Sequence, residues 1–97
     1  MIDVDELLEH IDIVEYIGQL IDLEERDGEW WGLSPFTAEQ TPSFSVDGER
    51  QLYYDFSSGH GGSVLTFIQR YFKVNFRRAM EIAEAYAGID SSVVLTP

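Results

Sequence analysis

The chain has 97 residues, 44% of them hydrophobic and 13% aromatic, enough for one packed core and too few for a second domain. Its formal net charge is −12 and it contains no cysteine. Disulfides and thiol chemistry are therefore excluded, and so is tight nucleic-acid binding by the surface as a whole, because phosphate contacts need cations.

Val4, Leu7, Leu8 and Ile11 recur at helical spacing and predict a short first helix, with His10 on its surface. Asp12, three residues before Glu15, is a capping-box-like start for a second helix over 13–20, whose apolar side is Ile13, Val14, Ile17 and Leu20. The Asp27-Gly28 step reads as a turn, with a strand over 30–33 leaving it. Pro35 and Pro42 then bracket a loop. Strands over 43–46 and 50–56 follow, joined at Asp47-Gly48, the strongest hairpin signal in the chain.

Along the second of these strands Leu52, Tyr54 and Phe56 alternate with Gln51, Tyr53 and Asp55, which predicts one apolar face and one presenting a phenol and a carboxylate. Gly59-His60-Gly61-Gly62 is a sharp connection into a helix over 63–72 with Val64, Leu65, Ile68 and Phe72 facing inward. Asn75 caps a last helix over 76–86, ended by Gly88, and residues 89–97 are expected to be a frayed tail. The organisation is thus one domain over 1–88. No stretch is long and apolar enough to span a membrane, and the amino terminus is acidic where a signal peptide would be basic, so a cytoplasmic protein with no membrane partner is expected.

Charge is divided along the sequence. Residues 1–29 hold eleven acids against Arg26 alone, whereas residues 50–78 hold Arg50, Arg70, Lys73, Arg77 and Arg78 against Asp55 alone. One end repels a polyanion and the other does not.

Two turns stand where the paired knuckles of a four-ligand zinc ribbon would stand: Ser34-Pro35-Phe36-Thr37 and Asp55-Phe56-Ser57-Ser58, each with two residues inside the pair and residues 38–54 between them. Around them run Trp31-Gly32-Leu33, Thr41-Pro42-Ser43-Phe44-Ser45-Val46, Glu49-Arg50-Gln51-Leu52-Tyr53-Tyr54 and Gly59-His60-Gly61-Gly62. With Asp12-Ile13-Val14-Glu15 before and residues 67–87 after, this order resembles the amino-terminal zinc-binding domain of bacterial-type DNA primases. In that family a Cys-Pro-Phe-His turn and a Cys-Phe-x-Cys-Gly turn supply the ligands.

The resemblance implies an α+β fold: a zinc-ribbon-like antiparallel β-sheet flanked by amino- and carboxy-terminal helices, here without zinc. The positions matching the four ligands are Ser34, Thr37, Asp55 and Ser58. Hydroxyls and one carboxylate suit zinc, calcium and magnesium poorly, so a hydrogen-bonded cluster with Asp55 as acceptor is expected there, and no cofactor. Structural zinc contributes about 10–16 kcal/mol in small fingers, so the core must make up what the ion no longer supplies.

The resemblance also implies contact with single-stranded template through a sheet surface of basic and aromatic residues, which would be Arg50 and Tyr53 here; Gln40 stands where the family commonly has Lys. Arg70, Lys73, Arg77 and Arg78 are the further candidates for nucleic acid, against an ordinary solvated helix face paired to Glu81 or Glu84. The glycine turn lacks the Gly-Lys-Ser ending of a phosphate-binding loop, and His60 reads as a loop residue.

No nucleophile, base and orienting group converge, so no catalysis is expected from this stretch alone. The implied role is a non-catalytic module in DNA replication that binds single-stranded DNA weakly and docks to a primase catalytic domain or replicative helicase. It could equally be the amino-terminal part of a longer primase-like protein, such as a mobile element carries. The alternative is an acidic protein-interaction or regulatory module that binds no nucleic acid.

Overall fold

Local signals explain most of the elements. In the computed structural model, which describes residues 3–38 and 41–88, two short helices, α1 (Val4–Glu9) and α2 (Ile13–Gly18), come first. Strands β1 (Glu24–Arg26), β2 (Glu29–Gly32), β3 (Phe44–Asp47), β4 (Leu52–Asp55) and β5 (His60–Gly62) then form one antiparallel sheet in chain order, followed by α3 (Val64–Phe72) and α4 (Phe76–Ala87). The fold is α+β, as the family resemblance implied. Residues 89–97, expected as a tail, and Gln40 lie outside the described residues.

The helix ends follow the sequence closely. Asp12 accepts a hydrogen bond from the Glu15 amide at 3.0 Å, and Asn75 accepts one from the Arg78 amide at 2.8 Å, so each caps its helix as expected. Ser63 does the same for α3 through the Leu65 amide.

The two Asp-Gly steps behave differently. Asp27 and Gly28 both adopt positive φ, 54° and 86°, which is the backbone of a tight two-residue hairpin turn and pairs Arg26 with Glu29. At Asp47-Gly48 the connection is longer, and Asp47 pairs with Leu52 across it. The Asp47 side chain accepts from the amides of Glu49 and Arg50 at 2.9 and 3.1 Å, and Gln51 takes the left-handed conformation at φ 59°. Arg50 therefore sits in the turn and not on the strand it was expected to open. Gln51 also links this turn to α2: its side chain accepts from the Ile13 amide and donates to Asp12 and to the Gly48 carbonyl, all within 2.7–2.8 Å.

One face of the sheet is covered. Phe44, Val46 and Tyr53 join Leu7, Ile13 and Ile17 from the first helices and Leu65, Phe67 and Ile68 from α3 in a single buried cluster. Phe67 lies at its centre, with its ring 5.3–5.9 Å from those of Phe36, Phe44, Tyr53 and Tyr71. Phe72, expected inside, is 43% exposed. It is the last residue of α3, the chain turns away at Lys73 in the left-handed conformation, and Phe67 fills the inward position instead.

The larger correction concerns β4. Tyr53 and Asp55 point into the core, at 2% and 0% exposure, while Leu52, Tyr54 and Phe56 face solvent. Apolar alternation favoured the opposite assignment. What decides the matter is Asp55, whose carboxylate must enter the space between the two turns. A strand's period of two then carries Tyr53 to the same side. Its ring stacks on Phe44 at 5.4 Å, so the inward face of the strand still buries an aromatic ring.

Candidate functional site

Asp55 ends β4 and Ser34 follows β2, so the sheet delivers both to one end of the molecule from positions 21 residues apart. The buried Asp55 carboxylate accepts from the hydroxyls of Ser34 at 3.0 Å, Ser58 at 2.7 Å and Ser57 at 2.6 Å, and from the Ser57 amide at 3.1 Å. Its own carbonyl accepts from the Ser58 and Gly59 amides. Ser34 Oγ also accepts from the Phe36 amide at 3.1 Å, which shapes the first turn.

Thr37 joins indirectly. Its hydroxyl lies 3.0 Å from that of Ser57. Because the Ser57 hydrogen is already given to Asp55, Thr37 acts as the donor. Ser57 is thus the member the sequence reading passed over, although an aspartate in a turn commonly accepts from the backbone amide two residues on, which here is that of Ser57. Burial pushes the Asp55 carboxyl up, but the hydrogen bonds from Ser57, Ser58 and Ser34 outweigh it and hold the group below its ordinary value of 3.8.

The cations predicted for nucleic acid do not form one surface. Arg50 is exposed in the β3–β4 turn, 3.8 Å from Asp47. Arg70 lies with its guanidinium carbon 4.0 Å above the Phe36 ring, and its buried Nη1 faces the Tyr53 phenol. Burial raises the Tyr53 pKa and the guanidinium opposes that rise, yet neither atom has a well-aligned hydrogen bond. Arg70 is therefore engaged with the core, and Tyr53, expected as an exposed stacking ring, is unavailable to a base. Arg78 pairs with Glu81 at 2.9 Å, one of the two partners considered from sequence. Lys73 and Arg77 are exposed, with no ion pair among the described residues.

The outward face of the sheet carries aromatics that the sequence reading did not select. Trp31, Ser45, Tyr54 and Gly61 lie in one row across β2 to β5. The Trp31 ring stacks on Phe56 at 5.8 Å and 17°, and Tyr54 meets Phe56 edge-on at 4.6 Å. A Cβ on Gly61 would come within 2.8 Å of the Tyr54 ring, so glycine is what lets that ring lie across β5.

A family described as CHC2 zinc finger matches residues 2–95. The chain belongs to this family. It is 37% identical over 89 residues to the DNA primase of Treponema pallidum, covering 92% of this chain and 15% of that protein. With the DNA primase of Geobacillus stearothermophilus it shares 40% over 83 residues, covering 86% of this chain and 14% of the other. The crystal structure of the Aquifex aeolicus primase, comprising zinc-binding and RNA polymerase domains, superposes with a TM-score of 0.85 at 30% identity, over 93% of this chain and 22% of that one. The chain thus spans a small part of these relatives' length and corresponds to their zinc-binding domain.

Within the CHC2 family this member has lost the chemistry that names it. The donor set does not fit zinc: thiolates and imidazole are replaced by three hydroxyls and one carboxylate, and Ser34, Ser57 and Ser58 all direct their hydrogens at that carboxylate. Among the described residues no group of three or more His, Cys, Asp or Glu is placed to hold a metal ion. No helix of the described residues is long and apolar enough to cross a membrane.

Two outcomes follow for stability. Ser34→Ala removes a hydrogen bond to a buried charged acceptor and should cost about 1.5–3 kcal/mol, whereas Thr37→Ala, at an exposed pair, should cost less than about 1 kcal/mol, both measured by denaturant unfolding. Asp55 also sets a pH dependence. The unfolded carboxyl takes up protons before the native one, so its contribution is complete above about pH 5 and is lost as pH falls through the lower native value. Acid titration of stability should show this component in the natural chain and not in Asp55→Asn.

Proposed function

We propose that this domain is a non-catalytic module of a DNA primase that touches single-stranded DNA weakly at the turn between α3 and α4. The observation that carries the reading is the pair of exposed, unpaired cations Lys73 and Arg77, flanked by Phe72 and Phe76 at 43% and 47% exposure. Cations that neutralise no internal acid can replace counterions on phosphate, and exposed rings can stack on bases for about 1–3 kcal/mol each. Arg78 adds to this surface from its exposed pair with Glu81. Against a net charge of −12 the contact is expected to be measurable at low salt only.

The named relatives are DNA primases, and the superposed chain joins its zinc-binding domain to an RNA polymerase domain. By analogy this module docks to the catalytic domain of a primase, or to a replicative helicase, and supplies template contact without making primers itself.

Fluorescence anisotropy with a labelled oligo-dT strand tests the DNA contact. Lys73→Ala and Arg77→Ala should each weaken binding and lower the salt slope by about one, while Arg50→Ala changes neither. Absence of binding at low salt, or an Arg50→Ala effect as large as that of Arg77→Ala, would overturn it.

A further inference from the structure

The outward face of the sheet has a chemistry of its own. Trp31, Phe56 and Tyr54 form a contiguous ring cluster, with Phe56 60% and Tyr54 42% exposed. The cluster is held in place before any partner arrives, because Trp31 stacks flat on Phe56 and Tyr54 lies across Gly61. Ordered, exposed aromatics of this kind lose little freedom on binding and are typical anchors of protein interfaces.

The charge beside them is wrong for a polyanion. Glu24, Glu29 and Asp47 share this face with only two cations, Arg26 and Arg50, each already bound to an acid at 3.0 and 3.8 Å. Glu29 has no ion pair among the described residues. A shallow groove next to the rings is lined by Leu52 and Tyr54 together with Glu29, Asp47 and Arg50, the last held against Asp47. That combination suits a long cationic side chain, whose methylenes lie along the apolar wall while its head reaches Glu29, the carboxylate there with no ion pair among the described residues.

We infer that the outer sheet face, paved by Trp31, Tyr54 and Phe56 beside Glu29 and Asp47, is a docking surface for a protein whose contact region combines lysine or arginine with apolar side chains. The inference goes beyond the proposed DNA contact and does not rest on it, since it uses none of the α3–α4 residues. Charge complementarity selects the partner: a net-acidic aromatic surface repels nucleic acid and attracts a basic apolar segment. The acidic hairpin formed by β1 and β2 extends the same field beyond the rings.

The test is an amide chemical-shift titration of the full chain with three probes: a lysine–leucine peptide, a polylysine of equal length, and oligo-dT. The lysine–leucine peptide is expected to shift the amides of Trp31, Tyr54 and Gly61 and to bind more tightly than polylysine. Phe56→Ser and Glu29→Lys, both at exposed positions, should each weaken it by at least about tenfold. If Phe56→Ser disturbs the fold, Glu29→Lys carries the test alone. Three results would overturn the inference: shifts confined to the acidic first helices, equal binding of polylysine, or oligo-dT shifting the sheet amides. The DNA reading is judged separately, on Lys73 and Arg77.

Discussion

A single buried carboxylate organises this domain. Asp55 collects hydrogen bonds from serines on two turns that are far apart in sequence and, in the family, are clamped by an ion. Burying a charge is unfavourable unless its hydrogen-bonding capacity is met, and here it is met from both sides. The consequences spread outward along β4. With Asp55 directed inward, Tyr53 must enter the core and Tyr54 must leave it, so the same constraint that closes the turns also places the exposed rings.

How much of this could be read beforehand varied with the kind of signal. Caps at Asp12 and Asn75, the helix ending at Gly88 and the Asp27-Gly28 turn were legible because each depends on a few neighbouring residues. The meeting of Ser34 with Asp55 and Ser58 was legible through the family pattern, not through composition. Strands β1 and β5 were not, being three residues each, one all polar and one nearly all glycine. The facing of β4 misled for a physical reason. Leu52, Tyr54 and Phe56 are the more apolar set, and only the three-dimensional demand of Asp55 outweighs that preference. Arg70 likewise looked like surface charge, because nothing local announces that Phe36 will lie beneath it.

The same folding separates two properties that the sequence seemed to offer together. Unpaired cations lie at the α3–α4 turn, and ordered aromatics lie on the outer sheet face among acids. In the proposed reading the first surface would contact phosphate weakly and the second would receive a basic partner. The proposed roles differ in their dependence on salt and in the residues that carry them, and neither requires an ion at the turns.

The central claim is that hydroxyls on a carboxylate hold the two turns together where the family uses zinc. Thermal melting followed in excess chelator, in buffer alone and with added zinc addresses it most directly. The three curves are expected to superimpose. A melting temperature lowered by chelator, or raised by one equivalent of zinc, would contradict the claim.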